Sequence, residues 1–595
     1  MCRIAGIISN SFSSTTLKEK VQAMCTSMCH GGPDDEGVIA HENANLVFGH
    51  RRLSIIDLSG AGHQPMADVN ELALITFNGE IYNYRELKAE LQGFGAVFQN
   101  QTDTEVILQA YLKWGIDCFS KFRGIFAFAL FDIKKSTTYL VRDANGVKPL
   151  YYYHNDEVFA FASEIKAFIR AGVTHQHDER WPIWLLAFGN IPEPYTTLKN
   201  VFSLPKGSYL SYSLEKGPSI NSYENVAHNH LLVDEREAQE GICHHLNNAV
   251  KRQLISDAPI GVFLSGGTDS SILTLLAAKQ HNKPVKTISL FFNEKEYDES
   301  RYQTLVAGKL PKDDFHSHLT TSQDFDTHLP QIIGAMDMPT TDGINSWFIS
   351  KYASETGFKA VLSGIGADEL FGGYPSFERI SYLRYARMFP KNIYWLTNLL
   401  QNNKLKRLLY LQQSNTAADY LFLRGLFTPV DIAKLLNTTE QQANDVLFKS
   451  FDFPIKKDYN KLDAAWFEKE LYMQNQLLRD TDVMSMRHGL EVRVPFLDED
   501  FQTYVNSITP AVRFKGPRPK QLLIDSFRDI LPNDVWSRKK MGFSFPLQEW
   551  MGKNQQVTNE EHYKGTAAKQ AINKFKQGKI HWSRAFALYQ VQKHV

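Results

Sequence analysis

The chain has 595 residues with 65 Lys or Arg against 65 Asp or Glu, a formal net charge of zero, so no overall field recruits nucleic acid or an acidic membrane, and neither is an expected partner. That length exceeds one typical domain and divides into roughly two or three, each with its own core. Five cysteines (2, 25, 29, 118 and 243) form no CxxC pair, and the longest apolar run, IFAFALF at 125–131, is far short of the ~18 residues of a membrane span; with no signal-peptide pattern, a cytoplasmic, disulfide-free protein is expected.

In chain order, MCRIAGIISN sets a cysteine directly behind the initiator methionine and ahead of a short apolar stretch, IAGII at 4–8. If Met1 is removed, Cys2 carries a free α-amine titrating near ~8 beside a thiol titrating near ~8.5, so one residue holds both base and nucleophile. Small second residues are common, and on this residue alone an incidental cysteine stays the commoner case. Leu17, Val21, Met24 and Met28 then recur at helical spacing behind Thr15 and Thr16 as caps, with HGGPD ending the run; Cys25 and Cys29 read as packing residues. Strand signals follow: LALITF before Asn78, IFAFALFD and TTYLVRD joined by KKS, then LYYYH and EVFAFAS joined by Asn155 and Asp156. Short strands joined by tight polar turns describe a hairpin-rich, β-rich α+β domain over 1–212.

The turn-rich stretch at 191–210 and the polar stretch at 211–225 mark the boundary, giving a linker over 213–235 and a second domain over 236–595. There the period changes. API-GVFL precedes a helix from Thr268, VKTISLFF one from about Glu299, and KAVLS one from Asp368, while 376–490 reads as mostly helical. Strands alternating with helices imply right-handed crossovers and a doubly wound parallel sheet with helical additions.

The strongest local signal is VFLSGGTDSS at 262–271, a buried strand running through Ser-Gly-Gly into a helix, so that free backbone amides and a helix N-terminus converge on an anion site. It lacks the Gly-Lys-Ser/Thr of a Walker loop, and it resembles the pyrophosphate loop of ATP pyrophosphatases, which adenylate a substrate and release pyrophosphate. A second strand-loop-helix, VLSGIGADELFGGY at 361–374, ends on the same edge of a parallel sheet, where ligands bind. Asp269 and Asp368 are thereby candidates to hold one Mg²⁺ against the leaving pyrophosphate, solvated helix caps being the alternative.

Through MCRIAGI, HGGPDDEG, HRRLSIID, FNGEIYNY, TDTEVIL, RDANGVKPLYY, LSGGTDSS, SGIGADELFGGY, SMRHGLEVRVPFLD and RKKMGFSFPLQEW, the chain resembles the glutamine-dependent asparagine synthetases over almost its whole length. The resemblance implies an N-terminal nucleophile glutaminase, an αββα sandwich, joined to an adenylating domain by an internal ammonia tunnel. It implies Cys2 as the processed nucleophile, Asn78 and the Gly79 N–H as oxyanion hole, Arg52 on the glutamine α-carboxylate, and Glu80 and Asp103 on its α-amine. It further implies Ser265, Gly266, Gly267, Ser270 and Ser271 around pyrophosphate, Leu264, Leu290, Ser363 and Gly364 at the adenosine, and Lys540 against the phosphates. ATP, Mg²⁺, glutamine and a carboxylate acceptor are the implied small molecules, with no prosthetic group; a homodimer is compatible with it.

Two positions depart from the pattern. Ile365 stands in SGIG where the family carries an acidic residue, so either another group such as Asp342 or a phosphate oxygen takes the proton, or the acceptor is not aspartate but a sugar uronic acid or secondary-metabolite acid. Gly31 stands where the family has arginine in HRGPD. A silent glutamine- or nucleotide-binding regulator is the third reading, opposed by intact Cys2, Asp269 and Asp368.

Overall fold

A computed structural model describes residues 2–223, 231–280, 285–311, 314–399, 403–456 and 458–594. The N-terminal part holds β1 (Arg3–Ile8), β2 (Asp35–His41), β3 (Leu46–Arg52), β4 (Met66–Ala67), β5 (Ala73–Ile81), β6 (Gly124–Asp132), β7 (Thr137–Arg142), β8 (Tyr151–His154), β9 (Phe159–Ala162), β10 (Val201–Ser203), β11 (Ser208–Ser213) and β12 (Gly217–Ser222). They form two six-stranded sheets, ordered β10-β8-β9-β1-β3-β2 and β12-β11-β7-β6-β5-β4, and their pairings are antiparallel.

The sheets pack face to face because each strand turns alternate side chains inward: Ile4, Phe48, Phe159 and Phe161 of one meet Leu74, Ala127, Ala129, Leu140 and Leu210 of the other. Outside the first sheet lies helix Ser14–Ser27, burying Leu17, Val21 and Met24 of the spacing read from the sequence, with Cys25 beside them and the buried Met28 as its C-cap. Its N-cap is Ser13, whose hydroxyl accepts from Thr16 N, rather than Thr15 or Thr16. Helices Tyr84–Gly93 and Asp103–Trp114 cover the second sheet, completing an αββα sandwich.

The second sheet takes one strand beyond residue 212, since β12 pairs along β11. Five of its six residues are exposed, which is why that stretch reads as a polar linker in sequence. The expected linker at 213–235 falls partly on 224–230, outside the described residues.

The C-terminal part is built on a parallel sheet ordered β15-β14-β13-β16-β17, from β13 (Ile260–Phe263), β14 (Lys286–Phe291), β15 (Phe315–Leu319), β16 (Ala360–Leu362) and β17 (Glu491–Arg493). Helices Glu235–Gln253 and Thr268–Gln280 pack on one face, and helix Ile344–Glu355 packs against the other; the described residues of 376–490 are mainly helical, as expected from the sequence. Among the described residues no helix is long and apolar enough to cross a membrane.

Candidate active site

Two constellations emerge, one in each part. In the first, Cys2 sits immediately ahead of β1 with its N–H donating to Asn78 Oδ1 at 3.1 Å. Cys2 is 8% exposed, and burial pushes the pKa of its thiol up, so it rests as the thiol until a base takes its proton. Asn78 lies on β5; with Oδ1 engaged, its buried Nδ2 has no hydrogen-bond partner among the described residues and is free to donate. Gly79 follows at φ +152°, where a Cβ would lie 2.2 Å from Ile125 O, so only glycine lets β5 approach β6 there.

Two residues not singled out in the sequence hold this strand. His50 Nε2 lies 3.0 Å from Phe77 O, and burial drives the imidazole down to about 3, so it is neutral. Gln64 accepts from Phe77 N at 2.7 Å and donates to Thr104 Oγ1 at 3.2 Å.

Arg52, at the end of β3, donates to the carbonyls of Ser59 (2.7 Å), Ile56 (3.4 Å) and Asp57, folding the 56–59 loop around its fork. Glu80 and Asp103 are both buried. Burial, aided by Asp103 and Glu491, lifts the Glu80 carboxyl well above its ordinary range, and Glu80 Oε2 has no partner among the described residues. Burial raises Asp103 to about 6, although its Oδ2 accepts from Ile81 N at 3.0 Å. Two crowded carboxyls of raised pKa form a receptacle for an ammonium group, which would relieve both.

Gly31 has a structural answer. A Cβ there would lie 2.8 Å from Arg3 Cγ, so Arg3 fills the space beside it. Its buried guanidinium pairs with Glu164 Oε1 at 2.7 Å and with Asp482 Oδ2 at 2.8 Å, and Lys148 joins Asp482 at 2.5 Å. A cation therefore stands beside position 31, supplied from the residue after Cys2, and it ties the first part to the second.

The second constellation lies beyond the carboxyl ends of the parallel strands, around a cavity of about 1340 Å³. Leu264, Ser265, Gly267, Asp269, Ser270, Leu290, Ser363, Gly364, Asp368 and Lys540 all line it, whereas Gly266 and the fully buried Ser271 do not. Ser270 Oγ braces the first loop by donating to Gly267 O at 3.1 Å, and Gly266 needs its φ of +81° for the turn. The second loop meets the first, since a Cβ on Gly364 would lie 3.0 Å from Asp269 Cβ.

Asp269 and Asp368 are brought together by a residue sequence reading misses: Lys520 Nζ lies 2.7 Å from Asp269 Oδ2 and 2.8 Å from Asp368 Oδ1. Lys540 Nζ adds a contact to Asp368 at 2.6 Å and donates to Gly373 O at 2.7 Å. Burial pushes the Asp368 carboxyl up, but Lys520 and Lys540 outweigh it and bring it down to about 2. Two carboxylates already sharing one cation fit Mg²⁺, which takes one or two carboxylates and completes its shell with phosphate oxygens and water.

Ile365 lines the cavity and packs against the core. Three carboxyls line it with Ile365: the half-buried Asp342 and the buried Asp480 and Glu369. Glu369 lies on the short helix Ala367–Phe371, four residues after Ile365; its Oε1 accepts from Tyr374 Oη at 2.8 Å, and burial together with Asp368 raises it to about 7. β17 touches both constellations: Ser363 N donates to Arg493 O at 2.8 Å, while Arg493 Nη2 lies 3.7 Å from Glu80 Oε1.

Two family models match the chain, one described as glutamine amidotransferase domain over residues 1–224 and one as asparagine synthase over 241–577. The chain is 30% identical over 571 residues to asparagine synthetase (glutamine-hydrolyzing) 1 of Bacillus subtilis, covering 93% of this chain and 88% of that protein. It is 34% identical over 420 residues to a putative asparagine synthetase (glutamine-hydrolyzing) 2 of Methanocaldococcus jannaschii, covering 66% and 79%. It is also 26% identical over 622 residues to amidase chry2 of Gibberella zeae, covering 93% and 90%.

Proposed function

The chain belongs to the asparagine synthase family, and from that premise we propose that it is a glutamine-dependent ligase, hydrolysing glutamine at Cys2, adenylating a carboxylate with ATP, and joining the released ammonia to it. The acceptor in this reading is L-aspartate and the product L-asparagine, with AMP and pyrophosphate released. The observation that carries it is the presence, in one chain, of a buried Cys2 whose nitrogen is held by Asn78 and a parallel-sheet cavity whose two loops converge on Asp269 and Asp368.

Once Met1 is removed, the Cys2 α-amine takes the thiol proton and Sγ attacks the glutamine carboxamide. Asn78 Nδ2, the unpartnered donor, and Gly79 N–H hold the oxyanion. Arg52 faces the α-carboxylate, while Glu80 and Asp103 take the α-ammonium.

In the cavity, Ser265, Gly267 and Ser270 surround the pyrophosphate end of ATP, with Gly266 shaping the turn and Ser271 packed behind it; Leu264, Leu290, Ser363 and Gly364 lie at the adenosine. Lys520 and Lys540 neutralise phosphate charge. Asp269 and Asp368 would hold Mg²⁺, which when bound offsets charge on the leaving group. Adenylation is needed because a free carboxylate has no leaving group, whereas the adenylate expels AMP when ammonia attacks. The proton that ammonia loses goes to Glu369 in place of the acid absent at position 365, with Tyr374 orienting the carboxylate.

Purified protein given glutamine, ATP-Mg and L-aspartate is expected to yield glutamate, asparagine and pyrophosphate together, and Cys2→Ala to retain only ammonia-driven synthesis. Pyrophosphate release with no carboxylate in a panel would overturn the reading. Ile365, with the resemblance to an amidase, favours one second reading, the same chemistry on another carboxylate. In that case Ile365→Glu raises aspartate-dependent amide formation above wild type; a fall from a normal wild-type rate supports aspartate.

A further inference from the structure

The balance of charge over the whole chain conceals a local excess. From Arg379 to Ala418 there are seven basic residues, Arg379, Arg384, Arg387, Lys391, Lys404, Lys406 and Arg407, and no acidic one. The same stretch departs from the usual burial of large apolar side chains. Among the described residues, 24 large hydrophobics are exposed, and eight of them, Tyr382, Tyr385, Met388, Phe389, Ile393, Trp395, Leu396 and Leu405, fall between 382 and 405. Isolated exposed apolar side chains are ordinary, but such a concentration marks an interaction surface.

The local structure explains how they come to face outward. Helix Ser376–Ala386 buries Phe377, Ile380 and Leu383, which leaves Tyr382 and Tyr385 on its outer side. The chain runs on through Met388 (78% exposed) and Phe389 (59%) into the 3₁₀ stretch Lys391–Leu399, where Tyr394 turns in and Trp395 (57%) turns out. Arg387 is used internally, paired with Asp419 and donating to the carbonyls of Leu411 (2.9 Å) and Gln413 (2.6 Å), and so fixes the platform. Arg379, Arg384 and Lys391 are exposed and make no ion pair among the described residues.

We propose that this face, centred on Tyr385, Met388, Phe389 and Trp395 and flanked by Arg379, Arg384 and Lys391, docks the protein on an anionic phospholipid surface. The apolar side chains are exposed and line neither the cavity around Asp269 and Asp368 nor the smaller one at His316 and Tyr352, so they suit insertion among lipid headgroups better than capture of a partner's side chain. Tyrosine and tryptophan are residues of the bilayer interface, and unopposed Lys and Arg are drawn to acidic lipid. A second copy is a poor occupant, because a two-fold contact sets the patch against itself and brings its cations together with no acid to meet them. The face begins where the synthetase cavity ends, since Phe377 and Glu378 at the start of the same helix line that cavity.

The test is sedimentation of the full chain with vesicles of phosphatidylcholine alone and of phosphatidylcholine with one-third phosphatidylglycerol, at low and high salt. Wild type is expected to partition onto the anionic vesicles at least about tenfold more than onto neutral ones, and to lose most of that preference in high salt. Replacing Met388, Phe389 and Trp395 together by serine is expected to cut anionic binding at least about tenfold. The separate double variant Arg384→Glu with Lys391→Glu, which spares the apolar side chains, is expected to abolish the preference for phosphatidylglycerol.

No binding by wild type, or binding by both variants equal to that of wild type, overturns the proposal. So does a dimer in size-exclusion chromatography that the triple-serine variant converts to monomer while vesicles capture neither protein, which would assign the face to a second copy. Wild type that ignores vesicles but forms a complex with an acidic protein would likewise overturn it, assigning the face to a protein partner.

Discussion

Asn78→Ala should separate the two half-reactions cleanly. Asn78 is fully buried, its Oδ1 accepts from Cys2 N at 3.1 Å, and its Nδ2 makes no other bond among the described residues. Losing one neutral hydrogen bond costs about 1 kcal/mol, while removing a buried unpaired amide returns about 1–3 kcal/mol of desolvation, so the fold is expected to change by no more than about 1–2 kcal/mol. The unpaired donor is worth far more when an oxyanion forms beside it: deleting one such donor costs about 3 kcal/mol, or about 10²- to 10³-fold in turnover. Glutamate release from glutamine should therefore fall by that factor, while pyrophosphate release driven by ammonium chloride stays near wild type, because the cavity around Asp269 and Asp368 is untouched. A thermal melt run beside both assays excludes unfolding. Glutaminase activity within threefold of wild type, or an equal fall in both activities, would refute the assignment of Nδ2 to the oxyanion.

Asp103 is raised to about 6, and an ammonium group binds its ionised form, so the KM for glutamine should fall as pH rises through about 6 and level off above it; a flat profile contradicts the receptacle. Glu369→Gln should lower amide formation about 10²-fold or more but spare ATP–pyrophosphate exchange, and wild-type synthesis should climb with pH through about 7; parallel loss of both steps would make Glu369 structural. Lys520→Met leaves Asp269 without its cation and should destabilise the protein by about 3 kcal/mol in denaturant, with adenylation falling too; an unchanged midpoint argues against the bridge. Arg3→Met should cost about as much, about 3 kcal/mol, since Glu164 and Asp482 are wholly buried, and a normal unfolding midpoint would show the pair to be idle.

What could be read from sequence was chemistry carried by short contiguous segments. The Ser-Gly-Gly turn requires the positive φ found at Gly266, and the strand running to Asn78 and Gly79 ends in residues whose types state their use. Helix Ser14–Ser27 followed from four apolar positions at one spacing. Long-range pairings could not be read in this way. Lys520 reaches Asp269 across 251 residues, and nothing in GPRPKQ announces it. β12 was illegible because an exposed edge strand lacks the apolar alternation that marks a half-buried one. Arg3 standing beside Gly31 shows why a missing motif residue is a weak objection: a cation can reach the same space from a neighbouring strand. The basic, apolar face at 379–397 escaped notice because summing charge over 595 residues averages it away.

The junction at Asp482 bears on how such chains can be recombined. Arg3 and Lys148 come from the first part, Asp482 from the second, and all three are buried, so they form one lock with its key divided between the two parts. A chimera grafting this glutaminase onto a synthetase part with no acid at that place would bury Lys148 without its partner and leave Arg3 with Glu164 alone. The smallest exchangeable module thus includes Asp482, about 270 positions beyond residue 212 at the graft's own edge, and shuffling at the visible boundary alone should yield insoluble protein.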